Sequence, residues 1–212
     1  MVRATGWIAG AMLASACAPH LYSPAGGDDA AADTDPWTAP VNSWTSAAPP
    51  EGLVGEGMEE GQVVLDVHGT DQFGAEVSLW QFYGSVVLLD ISTLWCGPCQ
   101  DLAKHAESVY QEYKDQGFVY LTVIHENVEG RDPTTDDLNL WAGLPAQVLD
   151  GEYDLITSPI IADPEGISGS IGAVRNGSYP AALVIGRDLK VAQRLDPVSE
   201  GTIQAGIEAA LK

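Results

Sequence analysis

The hydrophobic pattern changes period on either side of residue 96. "SVVLLDIS" (85–92) is a near-continuous apolar and β-branched run, the signature of a strand covered on both faces. "GPCQDLAKHAESVYQEYKDQG" (97–117) follows at helical spacing: Leu102, Ala106, Val109 and Tyr113 recur at three and four, and Gly117 closes the helix. "FVYLTVIHEN" (118–127) then predicts a second buried strand. Upstream, "QVVLDV" (62–67) predicts a strand, followed by a turn around His68-Gly69-Thr70-Asp71, and "EVSLWQFYG" (76–84) a short strand running into a helical turn. Downstream, "TTDDLNLWAGL" (134–144) opens with residues suited to an N-cap. "SPIIAD" (158–163) predicts a short strand and "EGISGSIGAV" (165–174) a weak helix. "AALVIGRD" and "KVAQRL" pair as a hairpin through Asp188-Leu189, and "SEGTIQAGIEAALK" is a closing amphipathic helix. Strands alternating with helices predict an α/β layer fold around a central sheet.

Before residue 56 this periodicity is absent. "MVRATGWIAGAMLASAC" has a positive end at Arg3 and an apolar run from Trp7 to Ala16 too short to span a bilayer. Ala14-Ser15-Ala16 forms an A-x-A cleavage site, so residues 1–16 read as a signal peptide. Cys17 at that junction resembles the lipobox of bacterial lipoproteins, although Ala14 stands where that pattern has its leucine. The resemblance implies lipidation of Cys17, and Ala18 after it implies the outer membrane rather than the inner; without lipidation the protein is secreted. Residues 17–55 are rich in Ala, Pro, Gly, Ser and Thr, carry Asp28, Asp29, Asp33, Asp35 and Glu51, and have no lysine or arginine. They read as a disordered, lipid-anchored tether with isolated aromatics at Trp37 and Trp44, leaving 56–212 as the folded domain.

Charge narrows the partners. The 212 residues hold 30 acidic against 9 basic side chains, a formal net charge of −21. Such a surface repels nucleic acid and anionic lipid headgroups, so membrane attachment has to be covalent. Three cysteines are too few for a disulfide scaffold, and with Cys17 lipidated an even pair remains.

That pair, Cys96 and Cys99 in "STLWCGPCQD" (92–101), sits where a buried strand runs into a helix. The first turn of a helix offers unpaired N–H groups and the positive end of the macrodipole, which stabilise a thiolate on Cys96. The same placement predicts an exposed, attacking Cys96 and a shielded, resolving Cys99, working through a mixed disulfide. Zinc would need four ligands, and His20, His68, His105 and His125 show no ligand spacing. His105 and His125 read as solvated or satisfied residues at the core's edge. Haem attachment needs C-x-x-C-H, and residue 100 is glutamine.

"LWCGPC" on a strand-to-helix turn, "SYPAALVIG" (178–186) as a proline loop, and the α/β order together resemble the thioredoxin superfamily. The stretch "VLDVHGTDQFGAEVSLWQFYGSVVLLDISTLWCGPC" (64–99) is similar to TlpA/ResA-type extracytoplasmic thiol–disulfide oxidoreductases, which belong with the AhpC/TSA group. The resemblance implies a thioredoxin fold over 56–212: a mixed sheet with helices on both faces and an N-terminal strand extension. It implies a redox-active Cys96–Cys99 disulfide with no further cofactor, protein clients, and a membrane electron donor. It gives Asp90, six residues before Cys96, the role of a buried proton acceptor for Cys99. Pro180 matches the cis-proline facing the dithiol; with Tyr179, Trp95, Gly97 and Pro98 it forms the substrate surface. Tyr179 before the proline, Ala181-Ala182 after it, Gln100 after Cys99 and Ser85 after Gly84 depart from common family residues. Gly97-Pro98 supplies no cation to favour the thiolate strongly, which predicts a reductant rather than a strong oxidant. Two rival readings remain: a peroxiredoxin-like peroxidase, with Thr93 three residues before Cys96, and a non-enzymatic lipoprotein that delivers copper or docks a partner.

Overall fold

The computed structural model describes residues 37–148, 151–163, 174 and 178–212. Residues 1–16, read as a signal peptide, Cys17, His20 and most of the weak helix expected at 165–174 lie outside them. The described chain forms a seven-stranded mixed sheet. In chain order its elements are β1 (His68–Asp71), β2 (Glu76–Ser78), β3 (Val86–Ser92), α1 (Gly97–Tyr113), β4 (Phe118–Ile124), α2 (Thr135–Ala142), β5 (Ile160–Ala162), β6 (Ala181–Ile185), β7 (Val191–Leu195) and α3 (Glu200–Ala210). The strands lie in the order β2-β1-β5-β4-β3-β6-β7. β3 pairs parallel with β4 and antiparallel with β6, while β4 pairs parallel with β5. This is the expected thioredoxin fold.

All seven residues of β3 and all seven of β4 are buried, which is why both read as unbroken apolar runs. Alternation along the strands divides their side chains between two cores. Val86, Leu88, Phe118, Tyr120 and Ile124 pack with Ala103 and Ala106 of α1, Leu138 and Trp141 of α2, and Ile203 and Ile207 of α3. Val87, Leu89, Ile91, Leu121 and Val123 face the other way, onto Met58, Val64, Val67, Leu79, Phe82 and the helical Val174. α1 ends through a short 3₁₀ turn at Gly117, whose φ of 77° is the left-handed cap that glycine adopts freely. The Thr134 side chain caps α2 by accepting from the Asp137 N–H.

The strand extension is present, but not where the pattern put it. Residues 62–67 form no strand; they make only isolated bridges, Val64 with Gly57 and Val63 with Lys190. Their apolar spacing reflects burial beneath the sheet rather than strand pairing. Residues 68–71, expected as a turn, are β1, bonded to β2 on one side and β5 on the other. A side chain at residue 69 would collide with the Ala162 carbonyl, so Gly69 is what lets β1 lie against β5. The turn falls four residues later, where the Asp71 side chain accepts from the N–H groups of Phe73 and Ala75 and Gly74 takes a φ of 80°.

The expected tether also ends earlier than residue 55. Residues 37–54 lie against the β1–β2 hairpin. The Trp37 indole donates to Ser78 Oγ (3.1 Å), the Trp44 indole to Asp71 Oδ2 (2.7 Å) and the Asn42 amide to the Glu76 carbonyl (2.7 Å). The Ala47 N–H donates to the Gln81 carbonyl. β2 is an edge strand, and this segment covers it, shielding groups that would otherwise template pairing with another chain. Composition misled here because a few indole and amide bonds, not an apolar period, hold the segment. Among the described residues no helix is long and apolar enough to cross a membrane.

Trp44→Phe keeps the aromatic contact with Phe73 and removes the bond to Asp71. It is expected to cost about 1–2 kcal/mol, the cost of losing a part-buried hydrogen bond to a carboxylate, read as a lower urea midpoint at unchanged m-value.

Candidate active site

Three strand ends meet at one edge of the sheet, and each delivers part of the site. β3 ends at Ser92, and Thr93, Leu94 and Trp95 turn the chain into α1. Cys96 is the N-cap of α1, and its Sγ accepts from the Cys99 N–H at 3.3 Å. Pro98 in the first turn is the position where proline fits a helix without losing a bond. The Gln100 side chain donates back to the Leu94 carbonyl and clamps the turn. Cys96 and Cys99 form a disulfide, with Cα atoms 5.3 Å apart.

The two sulfurs differ less in exposure than expected. Cys99 is fully buried, but Cys96, expected to be exposed, is itself only 5% exposed. The open surface beside it belongs to Gly97 and Pro98, which are exposed, and nothing lies within 4 Å of where a Gly97 side chain would project. The open approach to the disulfide therefore runs over the Gly97-Pro98 backbone.

Asp90 is the buried carboxylate of the site. It alternates with Val86 and Leu88 on the β3 face that packs with Cys96 and Cys99. Its carboxylate accepts from Ser92 Oγ (2.9 Å) and the Tyr120 hydroxyl (3.2 Å). Burial pushes its pKa from 3.8 up to about 6, and the two hydrogen bonds hold it back from rising further. Burial, and then the Asp90 charge, push the Tyr120 hydroxyl well above its ordinary value, so it serves only as a donor.

The third strand end is that of β6. Its antiparallel register sets Ala182 opposite Asp90 and Ala181 opposite Ile91. The preceding Pro180 therefore lies at the C-terminal end of β3, the end from which the chain turns into Cys96. The Tyr179–Pro180 peptide is cis, as the resemblance implied. A second cis bond, Asp196–Pro197, had no counterpart in the sequence reading. Trp95 is half exposed, sets its ring against Tyr179 edge to face (centroids 5.6 Å apart) and donates its indole N–H to Glu126 Oε2 at 2.7 Å. The Cys96–Cys99 disulfide, Trp95, Tyr179 and Pro180 thus all lie toward the end of the sheet where β3 stops. The Thr93 hydroxyl is buried and finds no hydrogen-bond partner among the described residues.

Sequence reasoning missed Ser92 and Tyr120, which bond Asp90, and Glu126, which bonds Trp95. His125, read as a solvated or satisfied residue at the core's edge, is satisfied by Asp163. His125 is in contact with the site: its Nδ1 lies 3.2 Å from the Asp163 carboxylate and its ring 6.2 Å from that of Tyr179. The available signal was topological, since the end of a parallel strand beside β3 must fall next to Cys96.

The chain belongs to the AhpC/TSA family, whose model matches residues 61–194. It is similar to a protein from Chlorobium tepidum assigned as a thiol:disulfide interchange protein DsbE, at 26% identity over 73% of this chain and 99% of that one, with a TM-score of 0.56. A secreted thiol-disulfide isomerase from Corynebacterium glutamicum has the same fold at 18% identity, covering 82% and 99% of the two chains with a TM-score of 0.58. The thioredoxin-like protein YneN of Bacillus subtilis is 28% identical over 129 residues, 61% of this chain and 66% of that one. An H-type thioredoxin of Oryza sativa is 40% identical over 67 residues, 31% of this chain and about half of its own. Family and fold assign the chain to the thioredoxin-like thiol–disulfide oxidoreductases.

The raised Asp90 pKa has a defined sign. The folded protein holds this proton more tightly than the unfolded chain, so the resulting stability is complete below about pH 4 and lost as the pH rises through 6. The move from 3.8 to about 6 corresponds to roughly 3 kcal/mol. Asp90→Asn is expected to lack this slope: in urea unfolding of the oxidised protein it should gain about that much on wild type between pH 4 and 7.5.

Proposed function

We propose that the protein reduces disulfides in other proteins outside the cytoplasm, using the Cys96/Cys99 dithiol. The observation that carries this reading is the Cys96–Cys99 disulfide at the first turn of α1, with a buried carboxylate on the same face of the sheet. In the reduced protein the Cys96 thiolate, stabilised by the helix N–H groups, attacks one sulfur of a client disulfide. One client thiolate leaves and a mixed disulfide forms. Asp90, whose pKa of about 6 suits it to exchange protons near neutrality, takes the proton of the Cys99 thiol. The Cys99 thiolate then attacks Cys96 Sγ, the Cys96–Cys99 disulfide closes, and the second client thiolate is released. Two electrons pass to the client, and a thiol donor on the membrane side restores the dithiol. Trp95, Gly97, Pro98, Tyr179 and Pro180 form the surface on which the client lies.

The extracytoplasmic setting rests on the signal-like residues 1–16, the Cys17 junction and the secreted Corynebacterium glutamicum relative. Cys17→Ser is expected to lower the mature mass by the acyl groups and move the protein from the membrane pellet to the soluble fraction, read by mass spectrometry and fractionation.

Turnover of insulin disulfides with a dithiol donor tests the cycle. Cys96→Ser should lose activity at least a hundredfold, and Cys99→Ala should stop at a trapped mixed disulfide visible on non-reducing gels. Redox titration should give a potential well below the roughly −120 mV of a strong oxidant. Insulin reduction that survives Cys96→Ser, or hydrogen peroxide consumption faster than disulfide reduction, would overturn the assignment.

A further inference from the structure

Four side chains close a circuit around the approach to the dithiol, and two of them come from the end of β4. The His125 N–H donates to the Ser92 carbonyl and the Leu94 N–H to the Glu126 carbonyl, which extends the β3–β4 ladder to within two residues of Cys96. From that fixed backbone, Glu126 takes the Trp95 indole N–H at 2.7 Å. Trp95 meets Tyr179 edge to face, and Tyr179 stacks at a tilt of 31° on the His125 ring. His125 in turn is held from outside the circuit by Asp163, only 1% exposed, whose Oδ2 is 3.2 Å from Nδ1. Asp163 is fixed too, because its N–H donates to the Ile124 carbonyl.

Tyr179 immediately precedes cis-Pro180, so its place sets where the client-facing backbone lies relative to Cys96. Its ring meets those of Trp95 and His125. Trp95 is half exposed and moves with the turn that carries the reacting sulfur. His125 is the contact tied to the sheet, through its own backbone and through a buried carboxylate.

The geometry points to His125 as a positioning residue for disulfide exchange: anchored by Asp163, it seats Tyr179 and so holds the cis-proline loop at the distance a client chain requires. This role rests on the reductase reading above. It acts on the binding of a chain-like client, not on the sulfur chemistry. Removing the ring should therefore raise KM for a protein disulfide and leave reaction with a small disulfide, which needs no loop, unchanged. A misplacement of about 1 Å caused far from the chemistry can cost about a hundredfold.

The test is a double-mutant cycle on His125→Ala and Tyr179→Ala, with insulin and hydroxyethyl disulfide as substrates. His125→Ala is expected to raise KM for insulin about tenfold, with kcat and the hydroxyethyl disulfide rate within twofold of wild type. Because His125 works through Tyr179, the double variant should have the KM of Tyr179→Ala alone rather than the product of the two effects. His125→Gln, which keeps a donor for Asp163 and lacks the ring, should match His125→Ala and runs the same cycle if the alanine variant does not fold. Multiplying effects on KM, an unchanged insulin KM, or a parallel fall with hydroxyethyl disulfide would each overturn the proposal. None of these touches the reductase reading, which fails only if wild type does not reduce insulin or Cys96→Ser still does.

Discussion

The parallel ladder between β3 and β4 is the constraint on which everything else depends. It runs from Val86 opposite Phe118 to Ser92 opposite Ile124, every residue buried, and the next two hydrogen bonds carry the pairing past both strands. Parallel strands buried on both faces cannot slip, because a shift by one residue would turn every side chain to the wrong core. The register therefore fixes the heights at which the two chains leave the sheet. One leaves into the turn that ends at Cys96, the other at His125 and Glu126. β6, antiparallel on the other side of β3, enters the sheet from the same edge and brings Pro180 with it. The site is a consequence of where three strands stop.

The same burial creates the chemistry. A carboxylate on a solvent-facing strand would titrate near its ordinary value of about 4. Asp90 lies in the middle strand of a two-faced sheet, with two hydroxyls as its bonded partners, and neither removes the cost of charging it. The fold gives up stability at neutral pH to hold a carboxylate that titrates near 6, a kind of shift that clusters at functional sites.

How much of this the chain announces depends on the kind of force involved. β3, β4, α1, α2, the β6–β7 hairpin and α3 are legible because burial of a whole strand or helix face writes a period into the residues. The dithiol and Asp90 are legible because a motif and a fixed offset on a predicted strand place them. What escaped is held by single polar contacts. β1 was mistaken for a turn because His68-Gly69-Thr70-Asp71 looks like one until Gly69 is seen to admit the Ala162 carbonyl. Residues 37–54 looked structureless because two indole bonds and an amide leave no periodic trace. His125 and Asp163 are 38 residues apart, and only the sheet brings them together.

The asymmetry between the two sulfurs follows from these same features and sets the direction of the proposed cycle. Exposure hardly separates them, since both are nearly covered in the oxidised protein. Electrostatics does. Cys96 is the N-cap, where unpaired helix N–H groups favour a negative sulfur. Cys99 is one turn further in, fully buried, and shares its face of the sheet with a carboxylate that is ionised above about pH 6. A thiolate there meets both desolvation and a like charge. In the proposed cycle Cys96 is therefore the attacking sulfur and Cys99 the resolving one. The proposed cycle gives the Cys99 proton to Asp90, which burial holds near a pKa of 6 on the same face of the sheet.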